Sequence, residues 1–194
     1  MKNKIILTLI FSIFTFFSYS QISKGTFRVG PDIVYSSNTT KIDGTSDKLS
    51  ASTLNFTLST GYFLADNLEA GVNVGVVSTK ASSGGITNSQ SGSVVGGFVT
   101  YMLKTDMPLY FPISVGVAYN AITEKGSSSE ISYGGLGYGI GGGMEYNPNG
   151  ILGIRVMLNY NFGSLSSDDF NFELDQSGTT ISIGANLYFS KIKE

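Results

Sequence analysis

Residues 179 to 189 read Thr-Thr-Ile-Ser-Ile-Gly-Ala-Asn-Leu-Tyr-Phe, and this stretch decides the fold. Taken with a period of two, Ile181, Ile183, Ala185, Leu187 and Phe189 fall on one face, and Ser182, Gly184, Asn186 and Tyr188 on the other. The segment is a strand with one apolar side. Upstream of it the same alternation recurs with no competing helical period. It predicts strands over 24–36, 50–64, 68–79, 93–103, 109–119, 131–146 and 151–162, with 179–189 as the eighth.

The registers are read directly. Leu109, Phe111, Ile113, Val115, Val117 and Tyr119 share one face, as do Leu152, Ile154, Val156, Leu158, Tyr160 and Phe162. In 131–146 an apolar set (Leu136, Tyr138, Ile140, Met144, Tyr146) stands opposite a row of glycines from Gly135 to Gly143. The fourth strand is mixed, with Val95, Val99, Tyr101 and Leu103 in one register and Val94, Phe98 and Met102 in the other. Pro31 lies in the apolar register of the first strand and predicts a bulge or a weakly paired position there.

Connections alternate in length. Polar loops are predicted at 37–48, 80–92, 120–130 and 163–178, and short turns at 65–67, 104–107 and 147–150, the last reading Asn-Pro-Asn-Gly. An even number of strands joined alternately by long and short connections predicts an all-β, eight-stranded antiparallel up-and-down barrel with unequal rims. About ten residues per strand, tilted by ~40°, span the ~25 Å apolar band of a transmembrane barrel.

Composition narrows the choice. The 194 residues make one domain, 13% are charged, and the chain has no Cys, His or Trp. Without Cys there is no disulfide, thiolate nucleophile, Cys-bound metal or lipidated N-terminal cysteine, and without His the commonest general base and metal ligand is missing. The formal charge of −2 and the scatter of Lys and Arg point away from nucleic acid. No cofactor is expected. Residues 1–20 carry Lys2 and Lys4, an apolar run from Ile5 to Phe17, and small residues at Ser18 and Ser20, the pattern of a cleaved signal peptide. The apolar run is shorter than the ~20 residues of a spanning helix. The barrel domain is then 21–194, and loss of the two lysines takes the net charge from −2 to about −4.

Periodicity does not say whether the apolar register faces a core or lipid. A soluble lipocalin-like barrel would show water a face rich in Lys and Glu, whereas the polar register here is mostly Gly, Ser, Thr and Asn. Small polar residues suit a narrow filled lumen, so the apolar face is assigned to lipid. Tyr35, Tyr62, Tyr101, Tyr119, Tyr146, Phe162 and Phe189 near strand ends fit aromatic girdles at the bilayer boundaries.

Two stretches carry a family resemblance. The closing strand ends its apolar register on Phe189, and Gly61-Tyr-Phe-Leu-Ala-Asp-Asn-Leu-Glu-Ala-Gly71 forms a strand, tight turn and strand. Both resemble the bacterial outer-membrane β-barrel domain family, the small OmpX/OmpA-type and "porin family" proteins. Five residues follow Phe189, whereas the family usually stops on the aromatic. The resemblance implies localisation in the outer membrane, contact with its lipid and lipopolysaccharide, and insertion by the barrel-assembly machinery, with Phe189, Leu187 and Tyr188 as the assembly signal. It also implies a structural, adhesive or protective role through long extracellular loops that meet an external ligand, or alternatively a narrow pore or carrier for small solutes or ions. Barrel enzymes of this kind rely on a His that this chain lacks, so no catalytic activity is expected.

Arg28, Asp32, Glu69, Glu145 and Arg155 all fall in polar registers and are expected to form a lumenal charge network rather than a proton path. Gly137 to Gly142 formally matches G-x-G-x-x-G, but no helix follows to make a dinucleotide site. Asp168, Asp169, Glu173 and Asp175 cluster in the last loop without EF-hand spacing and read as a solvated acidic loop, the alternative being a cation site bridging lipopolysaccharide phosphates.

Overall fold

The computed structural model describes residues 22–41, 48–83, 86–125, 130–166 and 173–190. The predicted signal segment, together with Asp168 and Asp169 of the acidic cluster, lies outside them. The alternating stretches form eight strands: β1 (Phe27–Lys41), β2 (Lys48–Ala65), β3 (Leu68–Ser83), β4 (Ile86–Lys104), β5 (Leu109–Lys125), β6 (Glu130–Tyr146), β7 (Leu152–Ser166) and β8 (Glu173–Phe189). Each pairs antiparallel with its neighbours in sequence, and β8 pairs with β1 to close the barrel. Along the part of the seam that is paired, from Phe27↔Phe189 to Ile33↔Ile183, closure removes the open edge of the sheet, the condition for a β-structure to sit in lipid.

The three predicted tight turns share one rim, here the inner rim, with both ends of the barrel. At 65–67, Asn67 takes a left-handed conformation (φ 63°) that Asn tolerates. At 147–150, the Asn149 side chain accepts the amides of Ile151 (3.0 Å) and Leu152 (2.8 Å), and Gly150 supplies the positive φ. Pro31 weakens pairing without making a bulge. Lacking an N–H, it leaves Gly30 and Pro31 out of the ladder to β8, which resumes in unchanged register at Asp32↔Gly184 and ends, among the described residues, at Ile33↔Ile183.

The outside of the barrel is an apolar belt. Val115, Ile140, Leu158 and Ile183 stand exposed around it, with Tyr62, Tyr101, Tyr146 and Phe189 toward the inner rim and Tyr35, Tyr119 and Phe162 toward the outer one. Few large apolar residues point inward. Soluble monomers do not expose apolar area on this scale, and a bilayer accounts for it.

The long connections are where the structure departs from the sequence reading. Half of 37–48 and most of 80–92, 120–130 and 163–178 is strand, so that individual strands reach 15 to 19 residues. Such strands are longer than the ~25 Å belt requires and continue beyond it as a collar. There the two faces exchange character. The cross-strand row Leu54–Ser78–Ser91–Thr123–Ser132 faces outward, and above Leu54 it is all hydroxyl. The adjacent row Asn55–Val77–Gly92–Ile122–Tyr133 faces inward and carries the apolar groups. Outside the membrane the wall meets water, so polar-out becomes the favourable phase. Ser- and Thr-rich sequence reads as loop only while apolar-out is the expected register.

Candidate functional site in the barrel lumen

From the inner rim upward, the lumen has three tiers. The lowest is an apolar plug of Phe63, Met102, Tyr110 and Tyr188, closed beneath by Ile22. The chain before β1 folds back across the mouth to place Ile22. Phe63 and this segment exchange backbone hydrogen bonds (Gly25 N to Phe63 O and Phe63 N to Thr26 O, both 2.9 Å), and the Lys24 amide bonds the Asp66 carboxylate at 2.9 Å. The reversal depends on Gly25, at φ 88°.

The second tier contains the predicted charges. Arg28 donates from Nε to Glu69 Oε1 at 2.6 Å, and Arg155 donates from Nε to Glu145 Oε2 at 2.6 Å. All four side chains are buried. Asn186 joins the pairs, accepting from Arg28 Nη1 at 2.6 Å and donating to Glu145 Oε2 at 2.9 Å. Ser59 accepts from Arg28 Nη1 at 3.1 Å, the Tyr188 hydroxyl donates to Glu145 Oε1, and the Arg28 guanidinium lies 5.5 Å from the centre of the Phe98 ring. Residues from β1, β2, β3, β6, β7 and β8 are thus tied across the lumen. Asp32 stands beside the network, within the electrostatic reach of both Arg155 and Arg28.

Glycines open the routes between these charges. Arg28 on β1 and Glu69 on β3 are separated by β2, and the Glu69 carboxylate reaches over Gly61, where an added Cβ would meet Oε1 at 1.7 Å. Arg155 on β7 and Asp32 on β1 are likewise separated by Gly184 of β8, where a Cβ would meet Asp32 Oδ1 at 2.1 Å. The glycines of the G-x-G-x-x-G match lie within β6, and Gly139 and Gly141 leave room for the amides of Asn161 and Asn159.

Above the charges lies a cavity of about 870 Å³. Its floor is Arg28, Asp32 and Arg155, its wall carries Asn55, Asn73, Asn120, Asn159 and Asn161, and it reaches Ile122 and Leu165 in the collar. The plug and the ion pairs close it from below. Among the described residues it is a cup closed toward the inner rim.

No family model and no curated protein sequence matches this chain. Solved structures do. Neisserial surface protein A superposes with a TM-score of 0.65 at 14% identity, over 86% of this chain and 99% of that one. The Pseudomonas aeruginosa outer membrane protein OprG gives 0.60 at 17% identity, over 87% and 97%, and the N-terminal β-barrel domain of OprF from the same organism 0.59 at 16%, over 86% and 99%. The chain has the fold of a small outer-membrane β-barrel. That fold and the apolar belt around it place the barrel in the outer membrane.

Of the proposed assembly residues, Phe189 and Leu187 face outward on the belt, and the Phe189 ring lies 6.5 Å from that of Phe27. Tyr188 points inward and belongs to the plug and the charge network. Glu173 and Asp175 lie in the first part of β8. Sequence reasoning missed Asn186, Ser59 and Phe98 as network members. Asn186 had a legible signal, as the largest fully polar side chain in the inward register of residues 179–189; Ser59 and Phe98 had none, because their role depends on the neighbours they are given.

Proposed function

We propose that this barrel is a closed, non-enzymatic outer-membrane protein whose role is structural, adhesive or protective, exercised by the collar and its hairpins on a rigid base. The observation that carries this reading is the double seal of the lumen, ion pairs above and an apolar plug below. A pore needs a continuous polar path, and Phe63, Met102, Tyr110, Tyr188 and Ile22 interrupt it. The likeness in fold to a neisserial surface protein agrees with a role performed at the cell surface. Purified barrel in planar bilayers is expected to give no steady single-channel openings, and regular openings of fixed size would overturn the reading in favour of a small-solute pore.

Lipid and lipopolysaccharide are the partners of the belt in this proposal, an external ligand that of the hairpins, and the assembly machinery that of β8. Phe189 adds little packing at the barrel's edge, so its exposed ring is assigned to recognition during insertion. Phe189→Ala is expected to lower the folded, heat-modifiable fraction in cells several-fold while changing refolding into detergent far less. Equal losses in both assays would reduce Phe189 to a packing residue.

A further inference from the structure

Two side chains that line the cup hold polar atoms with no partner, which a structural role leaves unexplained. We propose that the cup binds a small hydroxylated carboxylate of the sugar-acid class, its carboxylate on the Arg155 guanidinium and one of its hydroxyls donated to Asn73. Charge decides the sign of the ligand. The charged side chains that line the cavity are Arg28, Arg155 and Asp32, two positive against one negative, while Glu69 and Glu145 are fully buried and do not line it. The surplus facing the ligand space is positive. Asp32 reduces that surplus without reversing it, and Glu124, held by Gln90 Nε2 at 3.2 Å, lies outside the cavity lining. The two guanidiniums are not equally free. Arg28 gives Nε to Glu69 and Nη1 to Ser59 and Asn186, and it lies against the Phe98 ring. Arg155 gives Nε to Glu145, and its Nη2 is buried with no hydrogen-bond partner among the described residues. Its side chain is only 8% exposed, so the unmet donor is costly, and a carboxylate offsets that cost with a charge-assisted bond.

The wall decides the body of the ligand. Asn73 lines the same cavity, and its Oδ1 is buried with no hydrogen-bond partner among the described residues. That acceptor needs a donor, which a hydroxyl supplies and a bare carboxylate does not. Asn73 lies on β3 and Arg155 on β7, strands that stand opposite each other in a closed ring of eight. One molecule meets both only by crossing the lumen, so the ligand has its carboxylate at one end and hydroxyls along its length. Above Arg155 on β7, Asn159 and Asn161 donate to Ser182 and Thr180 at 3.4 and 3.5 Å, longer than an ordinary hydrogen bond. Both amides are therefore free to turn to further hydroxyls. The closed floor makes the cup a site of capture rather than passage.

The test uses the full mature barrel in nanodiscs at about pH 7, where the carboxyl of glucuronate is ionised. Glucuronate is titrated by calorimetry and by ¹H–¹⁵N NMR, with glucose as the uncharged isostere and acetate as the carboxylate without hydroxyls. Saturable glucuronate binding is expected, with glucose and acetate each at least about tenfold weaker and amide shifts at Asn73, Arg155 and Asn159. The double variant Arg155→Met with Glu145→Gln should bring glucuronate down to the level of glucose, and Asp32→Asn should tighten glucuronate several-fold without changing glucose. Asn73→Ala should weaken glucuronate several-fold and leave acetate unchanged. No saturable binding, equal binding of glucuronate with glucose or with acetate, or shifts confined to the hairpins would overturn the proposal. If the double variant fails to fold, the three probes on the unaltered chain and Asn73→Ala decide. A barrel that conducts but holds glucuronate at Arg155 would sink the closed-barrel reading and leave this site intact, and a silent barrel without saturable binding would do the reverse.

Discussion

Replacing Arg155 by Met is expected to lower the stability of the barrel by about 3–5 kcal/mol, measured as urea unfolding in lipid vesicles. The cost arises on the other side of the pair. Glu145 is fully buried and takes hydrogen bonds from Arg155, Asn186 and Tyr188, so loss of Arg155 strands a carboxylate among neutral donors. Glu145→Gln in the intact background is expected to cost less, because the guanidinium it strands borders the cavity whereas Glu145 does not. The double variant Arg155→Met with Glu145→Gln should recover part of the loss, since Gln still offers an oxygen to Asn186 and Tyr188 and neither partner of this pair is left as a stranded charge. The coupling from this cycle is the decisive number. A coupling of zero would mean that the network adds nothing beyond the packing of its members.

The outline of the site was legible in the sequence because its five charges stood out in registers otherwise made of Gly, Ser, Thr and Asn. Their partners were not. Which arginine meets which carboxylate depends on the relative stagger of strands, and Arg28 finds Glu69 across an intervening strand only because Gly61 leaves the space. Pairing of Glu145 with Arg155 is a direct cross-strand contact, fixed once the 147–150 turn sets the β6–β7 register. Strand number, order and tight turns were readable for the same reason that the collar was not. Inside the belt lipid enforces apolar-out over five or six alternate positions of each strand, a signal that survives an odd glycine such as Gly97 or Gly142. Beyond the belt the constraint reverses, and segments such as Ser89 to Ser93 lose the pattern by which strand was recognised while keeping full pairing with β3 and β5. The plug was hidden differently. Phe63, Tyr110 and Tyr188 each appear singly in a polar register, Met102 shares the mixed register of β4 with Val94 and Phe98, and nothing local says that four strands bring the four to one level or that Ile22 comes beneath them.

The belt itself yields the second large effect. Val115→Arg is expected to cost about 2–4 kcal/mol, because a guanidinium on the lipid face at mid-depth has neither water nor a partner. Val115 is mid-register on β5, between Phe111 toward the inner rim and Tyr119 toward the outer, and pairs with Val99 and Ile140, which are also exposed on the belt. Ile154→Arg makes the same change at a different depth. Ile154 pairs with Tyr146, part of the aromatic set near the short-turn rim, so an arginine there can extend its stem along the wall and carry its charge to the headgroups. Its cost should fall to about 0–1 kcal/mol, the range for the interface. The difference between the two variants, read from urea unfolding in vesicles, therefore measures depth and not arginine itself. Equal costs at the two positions would contradict the placement of the belt, and a neutral Val115→Arg would mean that this face meets water, returning the chain to a soluble barrel with its apolar register unexplained.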